Sequence, residues 1–237
     1  MTDAAYRGTH IHLEVVSLTA GETRTAFKNT LLIVAIAVPL NTIFGIVCAL
    51  AIVRHRFPGK GVLNAVVDLP LALSPVVIGL ALFLLYGRDG WLDWLPFQIL
   101  FSTPGMVLAT MFVSLPFVVR EVVPMLRELG DTEEQAARTL GANGLQTFFR
   151  ITLPSIRWAV IYGVILTTAR CLGEYGAVAV VSGSIQGKTE TATLRVQEEY
   201  ENLNMAGAYG IALILAALGL LVLVVMLRVK PKEEAAR

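Results

Sequence analysis

Five apolar runs, each long enough to cross a bilayer as a helix, leave this chain few ways to fold. They cover about Thr30–Val53, Gly61–Tyr86, Pro104–Leu126, Ser155–Val181 and Met205–Leu227, where a crossing helix needs about 20 residues. In hydrocarbon every backbone N–H and C=O must be paired within its own segment, so such runs are helices. Composition agrees. Of the 237 residues 55% are hydrophobic and 16% charged, and mean hydropathy is +0.68; soluble domains carry about a quarter charged residues. The expected fold is all-α, a polytopic membrane helix bundle of five spans over 29–228, with a polar arm at 1–28 and a tail at 229–237.

The runs are not uniform. Pro39 and Asn41 interrupt the first, and Asp68, Pro70, Ser74, Pro75 and Gly79 the second; the third carries Pro116 as a kink, with Arg120 and Glu121 near its inner end. Trp91 and Trp94 lie between the second and third runs, as an interfacial belt requires. Arg170 and Glu174 fall inside the fourth run, four apart and hence on one helix face. Charges at that depth are costly unless they pair or face a polar cavity. Arg170, Glu174 and Gly173 are therefore the candidate translocation path, the competing reading being a structural ion pair that never meets a substrate. Small residues around them (Gly173, Gly176, Ala177, Ala179) permit close helix contacts.

Between the third and fourth runs, Asp131–Pro154 reads DTEEQAARTLGANGLQTFFRITLP and is not built for lipid. Asp131 or Thr132 can cap a helix, with Glu134 placed for a capping box. Ala136, Ala137 and Leu140 form one apolar flank, and Gly141 stands where a left-handed C-terminal cap is wanted. Leu145, Phe148 and Phe149 give a second stripe, and Pro154 suits a first helical turn. Two short helices around a glycine elbow are expected. With this segment inside, twelve of the nineteen Lys/Arg face the cytoplasm, six face out and Arg170 is within the membrane, as the positive-inside rule asks.

The segment resembles the EAA-type loop of binding-protein-dependent ABC importer permeases. Ala136, Ala137, Gly141, Ile151, Leu153 and Pro154 fall at that pattern's spacings; Gln135 stands at its usual Glu, with Glu134 one residue earlier. The resemblance implies a type-1 ABC importer transmembrane domain, six-spanned in the family, in the plasma (inner) membrane. It implies that loop 127–154 couples to cytoplasmic ATP-binding subunits through Glu134, Gln135, Ala136, Ala137, Gly141, Phe149, Ile151, Leu153 and Pro154. Such permeases often begin with one more helix, so the arm is expected to stand where a first span is missing.

Further stretches, among them RFPGKGVL, DLPLALSPVVIGL, VVREVVPML and EYGAVAVVSGSI, resemble the W-type subunit of sulfate/thiosulfate importers; molybdate/tungstate permeases share the FPGK, AARTLGA and LGE-[FY]-GA elements. This implies a T-type second permease subunit as heterodimer partner, a periplasmic sulfate-binding protein, and sulfate or thiosulfate as cargo. ATP would be used by the partner subunit, with no cofactor on this chain. A non-transport scaffold or an uncoupled channel is the alternative of a different class.

Other chemistry finds little support. Ser182–Thr189, SGSIQGKT, mimics a phosphate loop but has Ser where the first Gly is needed, and it follows an apolar helix. His10 and His12 have no obvious further metal ligands. HExxH and a Ser-His-Asp set are absent, so an enzyme is not expected, and no basic cluster with interleaved aromatics suggests nucleic acid. Cys48 and Cys171 sit in apolar runs without CxxC spacing.

Overall fold

The structure, a computed structural model, describes residues 21–88, 90–92, 94 and 99–229. The described residues form α1 (Gly21–Arg54), α2 (Lys60–Ala72), α3 (Pro75–Tyr86), α4 (Thr103–Leu129) and α5 (Thr132–Thr139). After these come α6 (Gly144–Ser155), α7 (Arg157–Leu172), α8 (Gly176–Ser182), α9 (Ala192–Glu201) and α10 (Met205–Val229). Residues 1–20 and 230–237, including His10, His12 and most of the expected arm and tail, lie outside the described residues.

The centre of the bundle is α4 against α1 and α7. Lipid tails are as apolar as leucine, so helices associate there through close packing rather than through escape from water. Val118 of α4 marks the closest approach: a Cβ on Gly45 would lie 2.7 Å from its Cβ, and one on Gly163 2.9 Å from its Cα. Below this point Ile46, Ala49, Val122, Leu126, Ile156 and Ala159 form a buried cluster toward the inner end. Above it, Ile33, Ala37, Met106, Cys171 and Val178 form another. Asn41 bridges α1 to α4, its amide donating to the Met111 carbonyl at 3.0 Å and to Ser114 Oγ at 2.7 Å.

Among the described residues three helices are each long and apolar enough to cross a membrane, and counting two bent pairs raises the number to five. The second and fourth expected spans are thus corrected in shape. The second is broken between α2 and α3 by a 117° bend, where Leu73 and Ser74 are extended and Pro75 starts the new helix. The fourth begins after a 72° bend at Ile156 and stops at Leu172; Gly173–Tyr175 separates it from α8. The two breaks abut: a Cβ on Gly176 would lie 3.0 Å from Pro75 Cβ.

Residues 21–28, expected as part of the arm, are already helical within α1. Its outer turns pack on α9, where Arg195 gathers Glu22 at 3.1 Å, Glu198 at 2.9 Å, Glu199 at 2.7 Å and Glu190 at 3.5 Å. Asn29 donates to the carbonyls of Lys188 and Glu190, and Thr30 Oγ1 accepts from Ala192 N–H. Burial first, then the neighbouring Glu198 carboxylate, push Glu190 up to about 7 against the pull of Arg195.

Candidate functional site

The inner ends of α1, α4 and α7 converge on α5 and α6, the expected knob. Between the two helices Gly141 has φ +87°, a left-handed value that costs a residue with a Cβ roughly 1–2 kcal/mol. Asn143 then starts α6 with a reciprocal capping box, its Oδ1 accepting from Gln146 N–H at 2.8 Å while Gln146 Oε1 accepts from Asn143 N–H at 3.0 Å. That Asn-x-x-Gln signal is legible in the sequence and was not part of the expectation, which placed the capping box at Asp131 and Glu134. Asp131 does occupy the N-cap of α5, but its side chain makes no cap bond; it accepts from Gln135 Nε2 at 2.8 Å instead.

Glu134 turns inward. Its carboxylate meets Arg54 Nε at 3.1 and 3.2 Å and Nη2 at 3.0 Å, and it accepts from Thr152 Oγ1 at 3.0 Å. Arg54 also donates to the carbonyls of Leu126 at 3.2 Å and Gly130 at 2.5 Å. One guanidinium thus ties together the ends of α1 and α4, the start of α5 and, through Glu134, the middle of α6. Both partners are nearly buried, with side chains 16% and 10% exposed. Glu134 is therefore an internal fastener of the knob rather than part of its outer surface, and Arg54 and Thr152 are partners of it that the local pattern did not reveal.

The remaining coupling residues divide by exposure. Ala137 is buried and Ile151 and Leu153 half-buried, which fixes α5 on α6; Gln135, Ala136, Gly141, Phe149 and Pro154 are exposed. The outer surface carries large apolar side chains: Leu140 is 89% exposed, Leu145 71% and Phe149 61%. Phe149 packs edge-on against Phe148 with centroids 5.0 Å apart. Pro154 lies one residue before the end of α6, just ahead of the bend at Ile156. A π-helical stretch, Phe148–Thr152, precedes it, an irregularity frequent at functional sites. A cleft of about 370 Å³ runs between α1 and the knob, lined by Arg54, His55, Asp131, Gln135, Arg138 and Phe148 among others.

At the far end of α7 the second expected group also comes together. Arg170 Nη1 meets Glu174 Oε2 at 2.7 Å. Glu174 is buried while Arg170 keeps a 30% exposed side chain. The two lie across the helix break, not on one continuous helix: Gly173 caps α7 and is exposed. Glu174 Oε1 accepts from Ala177 N–H at 2.9 Å, starting α8, and its carbonyl accepts from Thr193 Oγ1 at 2.8 Å. This carboxylate therefore has a structural duty besides any role toward a substrate. The knob and this pair sit at opposite ends of α7, about 24 Å apart along a 16-residue helix.

Residues 41–234 match the family described as binding-protein-dependent transport system inner membrane component. The chain is 57% identical over 203 residues to the sulfate transport system permease protein CysW of Synechococcus elongatus, covering 84% of this chain and 71% of that protein. CysW of Escherichia coli is 48% identical over 198 residues, 82% of this chain and 68% of that protein. The CysT permease of the same bacterium is 40% identical over 202 residues, 84% and 73% of the two chains. Among solved structures, a bacterial alginate ABC transporter, in complex with an alginate pentasaccharide-bound periplasmic protein, superposes with TM-score 0.73 at 15% identity. That match covers 90% of this chain and 79% of the other, and at such identity it speaks for the fold alone.

Proposed function

The chain belongs to the binding-protein-dependent transport system inner membrane components, and from that premise we propose that it is the W-type permease subunit of an ATP-driven sulfate importer. Its place is the plasma membrane, crossed several times. Permeases named for sulfate at 48–57% identity favour sulfate, with thiosulfate as a second cargo, over the molybdate reading. The observation that carries the coupling mechanism is the knob: an apolar outer surface of Leu140, Leu145 and Phe149 on a base fastened by Arg54 and Glu134. A scaffold has no need of such a device.

That geometry and the relatives support the following set of partners. ATP is bound and hydrolysed on cytoplasmic subunits that take the knob in a groove. A T-type permease completes the pore, and a periplasmic sulfate-binding protein delivers the anion. When the ATPase subunits close, each knob moves as a unit, because the Arg54–Glu134–Thr152 fastener transmits displacement directly to α1 and α4. The pore is then a two-state element biased from the cytoplasm. Arg170, paired with Glu174 yet 30% exposed, offers an anion the weak contact that conduction requires.

The test is uptake of radiolabelled sulfate by proteoliposomes holding this chain with the T-type permease and the ATPase, binding protein supplied outside. ATP-dependent accumulation, competed by thiosulfate and much less by molybdate, sustains the reading; accumulation without ATP, or preference for molybdate, contradicts it.

A further inference from the structure

A second charged pair lies in the inner half of the bundle, apart from both groups above. Arg120 Nε of α4 meets Asp68 Oδ1 of α2 at 3.0 Å, yet the side chains are 58% and 48% exposed. Asp68 is eight residues along α2 from Lys60 and Arg120 nine residues before the end of α4. At about 1.5 Å per residue Arg120 stands about 14 Å in from the inner end of α4, the one of the two helices that crosses unbroken, and it holds Asp68 beside it. Hydrocarbon is about 30 Å thick, so the pair lies within the inner leaflet. A short aspartate cannot snorkel from there, and Arg120 reaches sideways to Asp68 rather than along the helix to the surface. An exposed ion pair at this depth does not face lipid; it faces a polar space or another protein surface.

The neighbours define which. Asn64 lies four residues before Asp68, on the same face of α2, whereas Val62, Val66 and Leu69 are exposed on other sides of that helix, ready for lipid. Asn64, Asp68, Arg120 and Pro124 line a cleft of about 270 Å³ floored by the buried Val67 and Val119. With water occupying about 30 Å³, this holds a small oxyanion and part of its hydration shell. Arg120 has nitrogens left over after its single bond to Asp68, and a guanidinium's fork suits tetrahedral oxyanions.

We infer that Arg120 is an anion-contacting residue on the inner half of the route, and that Asp68 competes with the passing anion for it. This deepens the sulfate-import reading and rests on it. The design has a physical logic: an unopposed guanidinium in a narrow polar space would trap a divalent anion, and a carboxylate alongside lets the anion leave.

The experiment uses the reconstituted complex with Arg120→Gln, Asp68→Asn and the double variant, reading sulfate uptake alongside binding-protein-stimulated ATP hydrolysis. Arg120→Gln is expected to lower uptake by about tenfold, the scale of one charge-assisted contact, with hydrolysis little changed. Asp68→Asn is expected to lower the apparent KM for sulfate and the maximal uptake rate together, because the unopposed guanidinium holds the anion longer, and the double variant to resemble Arg120→Gln. Equal loss in both single variants, with uptake restored by the reversed pair Asp68→Arg/Arg120→Asp, would make the pair a structural bridge and overturn the inference. So would unaltered uptake in Arg120→Gln. Where Gln at 120 prevents assembly, Arg120→Lys decides: a raised apparent KM for sulfate sustains the contact, and an unchanged one overturns it. Failure of the unmodified complex to import sulfate would instead overturn the importer reading, and this inference with it.

Discussion

Replacing Glu134 by Ala should loosen the knob without touching its outer surface. The substitution removes every carboxylate contact to Arg54 and the acceptor for Thr152. Breaking a buried ion pair costs about 3–5 kcal/mol. Arg54 keeps the Leu126 and Gly130 carbonyls, so the lower end, about 3 kcal/mol, applies here. At about 1.4 kcal/mol per decade this is about two orders of magnitude in the attachment equilibrium of α5 and α6. Glu134→Gln keeps the shape and one acceptor, and should cost about 1–2 kcal/mol as a charge-assisted bond becomes a neutral one. Thermal unfolding of the purified complex and the ratio of sulfate imported to ATP hydrolysed are the assays. Ala at 134 should lower the midpoint by at least about 6 °C, at about 2–4 °C per kcal/mol for a chain of this size, and should reduce the ratio; Gln should fall between. An Ala variant with wild-type midpoint and wild-type ratio would refute the fastener argument.

Two other outcomes are expected. Gly163→Val places a branched side chain where even a Cβ would lie 2.9 Å from Val118 Cα; forcing α4 and α7 apart should cost about 1–3 kcal/mol, read as a lower unfolding midpoint, while Gly219→Val on the open face of α10 should change little. Glu190, raised to about 7 by burial and Glu198, is more easily accommodated protonated. Glu190's contribution to the attachment of α9 to α1 is therefore complete below about pH 4.5 and is lost as pH rises through 7; hydrogen exchange of 190–201 across pH 5–8 should show the attachment weakening with rising pH, and Glu190→Gln should flatten the dependence in that window. Glu198 does not cancel the effect: although burial opposes it, Glu190, Gln186 and Arg195 hold its carboxyl below the usual range, outside that window.

Much of the bundle was legible because hydrophobicity and length carry it: the first, third and fifth apolar runs each form a helix long enough to cross, and the second and fourth each form a bent pair. Direction within a run was not. Hydropathy reads through Leu73–Ser74 and through Gly173–Tyr175 without a change of sign, although Ser74-Pro75 and Gly173 mark the places where the chain turns. The helicity of residues 21–28 was hidden for the opposite reason. Glu22, Arg24 and Lys28 look like a solvated arm, but Glu22 is held by Arg195, more than 170 residues away, and buried Thr23 and Ala26 continue the helix. In the knob, spacing located Gly141 and the apolar surface, since a left-handed cap and one helix face are local properties. The inward turn of Glu134 was not local: Arg54 lies 80 residues earlier, and a capping-box reading uses the same three-residue spacing.

The central claim, that this knob transmits ATP hydrolysis to anion movement, is tested most directly by sulfate uptake and ATP hydrolysis in complexes carrying Gly141→Asp. The φ of +87° resists a side chain there although the surrounding space is open, so the elbow changes while every span is left intact. An assembled complex is expected whose sulfate accumulation collapses, with hydrolysis no longer tied to transport. A Gly141→Asp complex that imports sulfate at the wild-type rate per ATP would contradict it.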